Sequence, residues 1–95
     1  MDPERLSDFN IADVVISTAG RDAGTLFYVI GTEGVYTILA NGRERTLEKP
    51  KRKKLKHVSK VLRAETRVAA KLIAGDKVLN SELRKDLASI RQNNI

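Results

Sequence analysis

Three apolar, β-branched runs separated by short glycine-containing turns set most of what this chain can become. Residues 12–17 (ADVVIS), 25–30 (TLFYVI) and 35–39 (VYTIL) have the composition and length of strands. Residues 18–24 (TAGRDAG) and 31–34 (GTEG) connect them. Connections this short join antiparallel neighbours, because parallel strands need a crossover of a dozen residues or more. Asn41-Gly42 follows the third run. Both residues tolerate the positive φ of a type I′ hairpin turn, so residues 43–47 (RERTL) are expected to return as a fourth strand. Residues 54–61 supply a fifth short strand or a 3₁₀ turn. Closing such strands on themselves removes their exposed edges. The expectation is therefore a small five-stranded antiparallel barrel.

The last third of the chain changes period. Residues 64–74 (AETRVAAKLIA) are alanine-rich, with Val61, Ala64, Val68 and Leu72 at helical spacing. Gly75 is a natural stop. Asn80 or Ser81 can cap a last helix, with Glu82 in its first turn. Leu83, Leu87 and Ile90 then form one apolar stripe. Helices this short are not stable alone. The stripe must be covered by the preceding helix, by the barrel or by a partner. The fold class is thus mainly β with an α-helical tail: an N-terminal arm (1–10), a barrel (11–61) and two short C-terminal helices (62–95).

Composition narrows the chemistry. A chain of 95 residues is one domain's worth, and Phe9, Phe27, Tyr28 and Tyr36 are its only aromatics. It has no cysteine, hence no disulfide and no thiolate metal site, and one histidine, hence no histidine-rich site. No apolar run reaches the roughly 18 residues of a membrane span. The acidic, polar opening MDPERLSDFN does not read as a signal peptide. These features lead us to expect a soluble cytoplasmic protein without a membrane partner.

Charge is concentrated in one place. Residues 41–60 (NGRERTLEKPKRKKLKHVSK) carry nine Lys or Arg and two Glu, net +7, whereas the whole chain is +6. A local basic run suits a polyanion, since each cation that neutralises a phosphate releases condensed counterions. The bland alternative is a solvated, flexible basic linker. Leu47, Leu55 and Val58 punctuate the run and can anchor it, and Pro50 extends Lys49.

Residues 13–30 (DVVISTAGRDAGTLFYVI) run from a strand through a glycine-bracketed charged loop into an apolar strand. This resembles the KOW motif of ribosomal proteins and transcription-elongation factors, which sits in an SH3-like barrel, with Gly24 at the motif's glycine. Together with NGRERTLEKPKRKKLKH, the stretch over about residues 11–60 is similar to bacterial KOW-domain RNA-binding proteins, themselves similar to a KOW-type large-subunit ribosomal protein of archaea and eukaryotes. The sequence departs from the motif at Ala23, where a basic residue is frequent, and near Leu26–Phe27, where a second glycine is frequent. That leaves Arg21 as the loop's candidate contact. The resemblance implies binding to RNA, ribosomal RNA first, with ribosomal proteins as partners through the C-terminal helices.

The candidate nucleic-acid contacts are Arg21, Arg43, Arg45, Lys49, Lys51, Arg52, Lys53, Lys54, Lys56, His57 and Lys60. Arg21 and Asp22 can pair with each other or bond the turn backbone; alternatively Arg21 reaches a phosphate while Asp22 holds it. Phe27 and Tyr28 point to opposite faces of one strand. Phe27 is assigned to the core; Tyr28 and Tyr36 are read first as structural residues, with a base-stacking platform as the alternative for either. His57 is one more polar contact at the end of the run.

No acidic pair is spaced for acid–base work, and no phosphate-binding glycine loop of the mononucleotide or dinucleotide kind occurs. No enzyme and no cofactor are expected. The function expected is RNA binding through a basic barrel-edge segment, in ribosomal RNA contact, ribosome assembly or translation. Two rivals are a transcription-associated module that binds polymerase or DNA, and an interaction module that docks an acidic protein.

Overall fold

A computed structural model of the chain describes residues 9–94. Of the N-terminal arm, residues 1–8 lie outside the described residues. Five strands, β1 (Asp13–Ser17), β2 (Leu26–Glu33), β3 (Tyr36–Ala40), β4 (Lys51–Lys54) and β5 (Val58–Arg63), precede two helices, α1 (Arg67–Ala74) and α2 (Asn80–Asn94). A 3₁₀ turn, Leu55–His57, joins β4 to β5. The strands form one antiparallel sheet in the order β4-β3-β2-β1-β5. The chain is thus mainly β with a helical tail.

The sheet departs from expectation in three respects. It is not a closed barrel: β4 and β5 are its edges. An edge of four consecutive cations (KRKK) discourages pairing with another chain by its charge, so closure is not the only protection available. The fourth strand, moreover, is Lys51–Lys54, not residues 43–47. The side chain of Asn41 accepts hydrogen bonds from the amides of Arg43 (3.0 Å) and Arg45 (3.1 Å). A strand at 43–47 would have to share those donors with its ladder, and the local side-chain bond wins. Strand β2 also runs on through Gly31 to Glu33, past a bulge between Val29 and Gly31, so the turn falls at Gly34 and Val35.

Both faces of the sheet are covered, which explains why its strands read as continuous apolar runs instead of alternating. Val14, Leu26, Tyr28 and Ala40 lie on one face, packed with Ala64, Val68 and Ala69 and with Leu83, Leu87 and Ile90 of α2. Val15, Phe27, Val29, Leu39 and Val58 fill the other, with Phe9 against them. The register enforces this split, pairing Val14 with Tyr28 and Val15 with Phe27. Tyr28 is fully buried and so is not a stacking platform. Its hydroxyl donates to the Asp86 carboxylate, which also accepts from Thr66 Oγ1 at 2.8 Å. Burial, reinforced by Asp86, pushes the Tyr28 phenol well above its ordinary range.

The helices begin and end for identifiable reasons. Helix α1 starts three residues later than the spacing suggests, because Thr66 is its N-cap, accepting from the Ala69 amide at 3.1 Å. It stops at Gly75, whose φ of 77° permits a reversed cap: the Gly75 amide bonds Leu72 and the Asp76 amide bonds Lys71. Helix α2 is not capped by Asn80 or Ser81. Its cap position is Leu79, whose carbonyl accepts from Glu82 and Leu83 and whose amide donates to Glu82 Oε1 at 2.9 Å. The hydrogen bond from Lys71, then that from Leu79, holds the Glu82 carboxyl below its ordinary value.

Candidate nucleic-acid interface

The loop between β1 and β2 is built around Asp22. Its Oδ1 accepts from Ser17 Oγ at 2.8 Å and from Lys53 Nζ at 2.9 Å, and its Oδ2 lies 3.0 Å from Lys51 Nζ. Lys53 Nζ also donates to the Ala19 carbonyl at 2.8 Å. Burial alone would raise the Asp22 carboxyl. The hydrogen bonds from Lys53, Lys51 and Ser17, with the charge of Lys53, outweigh it and hold the carboxyl far below the usual carboxylate range. Asp22 therefore pairs across to β4 and not with Arg21, which is exposed on the same loop.

This cluster has an acid signature. A carboxyl whose folded pKa is depressed adds stability that is fully present above its unfolded value, about 3.9, and is lost as pH falls below it. In urea titrations Asp22→Asn is expected to be less stable than the parent at pH 7. The gap should narrow between pH 5 and pH 2, as the parent loses the contribution the variant never had. A gap independent of pH would show that Asp22 is not charged and paired in the folded state.

The loop that follows β3 is fixed as firmly. Asn41 is buried, and besides bonding the two amides its Nδ2 donates to Glu44 Oε1 at 2.9 Å. The amides of Asn41 and Gly42 both donate to the Arg45 carbonyl. Asn80 of α2 reaches over: its Oδ1 accepts from the Leu47 amide at 2.8 Å and its Nδ2 donates to Glu48. Beyond β4, the Leu55 amide bonds the Val35 carbonyl, and the Thr18 amide bonds the His57 carbonyl. Residues 41–60 are therefore tied to the sheet and to α2 along their length.

These ties sort the predicted contacts. Arg43, Arg45, Lys49, Arg52, Lys54 and Lys56 are exposed. Of these six, Arg52 alone is in an ion pair among the described residues: it pairs with Glu33 at 3.0 Å and lies over the half-buried ring of Tyr36, 4.4 Å from its centre. Lys53 is buried and Lys51 half-buried, because side chains alternate along β4 and this pair faces Asp22. His57 is half-buried. Lys60 is exposed on the opposite edge strand, 3.2 Å from the buried carboxylate of Asp13 and 5.6 Å from the Phe9 ring centre. Arg63 also approaches Asp13, at 3.8 Å.

Beyond that set, the sequence leaves Arg84, Lys85 and Arg91 off the apolar stripe of α2, free to add weak phosphate contacts. Arg84 and Arg91 are instead each engaged in a hydrogen bond to a loop. They bond the carbonyls of Gly42 and Gly24, the former at 2.6 Å, and so sit against the two loops just described. Their position off the apolar stripe was visible in the sequence. Which loops that side of the helix would meet was not.

No family model and no curated protein matches the chain. Among the described residues, no helix is long and apolar enough to cross a membrane.

Proposed function

We propose that the chain is an RNA-binding module of the KOW kind, acting in the cytoplasm by binding and not by catalysis, with ribosomal RNA or a ribosome-assembly intermediate as its target. The observation that carries this reading is the set of six exposed cations, Arg43, Arg45, Lys49, Arg52, Lys54 and Lys56, on a segment whose backbone is held in place. A fixed segment loses little backbone freedom on binding, so its phosphate contacts are not offset as those of a flexible linker are. The Arg52–Tyr36 stack presents a planar cation, a surface on which an unpaired base can stack. Ribosomal proteins as helix partners belong to the same reading.

The test separates structural from surface cations. Arg52→Gln, Lys54→Gln and Lys56→Gln together should weaken binding to many RNA sequences. They should flatten the slope of log K against log salt by about 0.7–0.9 per lost phosphate contact. The melting temperature should hardly move, since Lys51 and Lys53 are left on Asp22. An unchanged slope would refute the assignment. Cross-linking in cells, followed by sequencing of the recovered nucleic acid, distinguishes RNA from DNA and from an acidic protein partner.

A further inference from the structure

A depression of about 320 Å³ lies where the β1–β2 loop, the 41–50 loop and α2 meet. Arg43, Arg84 and Arg91 line it, with Gly24 and Ala88 as small wall residues and Glu44 as its one acidic residue. Arg84 and Arg91 are seven residues apart, so they project from one side of α2 about 10 Å apart along its axis. Each gives a hydrogen bond to a turn carbonyl, Gly42 and Gly24 respectively, which fixes its guanidinium against the loop. Arg43 comes from the 41–50 loop and has no partner for its side chain among the described residues. Glu44 accepts from Asn41 and forms no ion pair with these arginines. Three guanidinium groups therefore share one cleft with a single carboxylate. Their positive potentials add within the cleft and favour an anion there.

We infer that this cleft is a phosphate-binding site, and that its ligand is a backbone phosphate of the RNA held by the adjoining basic segment. Guanidinium groups suit a phosphate ligand, because each offers a planar fork of donors that meets two phosphate oxygens at once. One donor of Arg84 and one of Arg91 are engaged by the turn carbonyls, and the rest of each fork remains for the ligand. Space is left beside Gly24, where a side chain would meet nothing within 4 Å. Arg43 belongs both to the cleft and to the exposed segment, so a strand lying along residues 43–56 passes the cleft mouth. The proposal rests on the RNA-binding reading for the identity of the ligand, though not for its chemistry.

The experiment uses the full chain and its double variant Arg43→Gln/Arg91→Gln, leaving Arg84 to support the 41–50 loop. Binding of an RNA hairpin is measured over a range of salt. The Gly24 and Gly42 amide shifts are followed by NMR during a pyrophosphate titration. The expected result is about tenfold weaker RNA binding, a log–log salt slope reduced by about 1.4–1.8, and loss of the pyrophosphate-induced shifts. If the double variant binds RNA with unchanged affinity and slope while the Arg52/Lys54/Lys56 variant is impaired, the cleft is not part of the interface and the RNA reading stands without it. Shifts by pyrophosphate that vanish in the variant, in a protein that binds no RNA, would establish the phosphate site and overturn the RNA ligand. If neither RNA nor pyrophosphate binds, both are overturned.

Discussion

Gly42→Ala is expected to destabilise the protein by about 2–5 kcal/mol, from left-handed backbone strain and overpacking together. Gly42 has φ of 76°, a conformation that L side chains rarely adopt. More decisively, a Cβ at this position would lie 2.2 Å from the Asn80 carbonyl oxygen and 3.0 Å from its carbon. Both obstacles are backbone, in the first residue of α2, so no rotamer change relieves them. The helix would have to move away. Asn80 bonds Leu47 and Glu48, and Arg84 bonds the Gly42 carbonyl, so the whole 41–50 loop would loosen with it. Urea unfolding measures the loss directly, and RNA binding by whatever folded fraction remains should weaken too. A variant as stable as the parent would mean that α2 does not begin against this loop. Ala23→Gly, at an exposed position in the other loop, is the control, with an expected change within about 0.5–1 kcal/mol.

Gly42 also shows where sequence reading reaches its limit. The Asn-Gly pair announced a type I′ hairpin turn; the chain bends at residues 42–45, but Gly42 takes the positive φ and Asn41 does not. The positive φ at Gly42 is the local requirement the sequence carries; the close approach of α2 adds a long-range one, and the Asn41 side chain organises the residues beyond. Strands β1 to β3 were legible because their content of Val, Ile, Leu and Phe is local information. The stripe Leu83, Leu87 and Ile90 was legible for the same reason, and all three residues are buried. What covers the stripe is tertiary information. Tyr28 illustrates the gap: one strand position apart from Phe27, it reads as the outward residue of a half-buried strand, but the helices make its face a second interior. The basic run poses the same problem in charge. Nothing local distinguishes Lys53 from Lys54; the alternation of β4 and an aspartate 31 residues earlier do.

Shortening Leu83 to Ala is expected to cost about 2–5 kcal/mol, the range for a buried leucine whose surroundings cannot collapse into the gap. Leu83 is 0% exposed and packs in the cluster shared by β1, β2, β3 and both helices. The polar links point the same way: Asp86, one turn further along α2, takes the Tyr28 and Thr66 hydroxyls, and Lys71 of α1 bonds Glu82 at 2.8 Å. The helices are therefore one wall of a core whose other wall is the sheet. A protein ending at Arg63 would expose Val14, Leu26, Tyr28 and Ala40 together, and circular dichroism should find it unfolded. The internal comparison is Ile73→Ala on α1, where the side chain is 64% exposed and the change should stay within about 0.5 kcal/mol. Both are apolar-to-alanine changes in neighbouring helices, so helix propensity contributes little to the difference and burial against the sheet accounts for the rest. Equal losses at the two positions, or a folded protein ending at Arg63, would detach the helices from the core and make the sheet the sole folding unit.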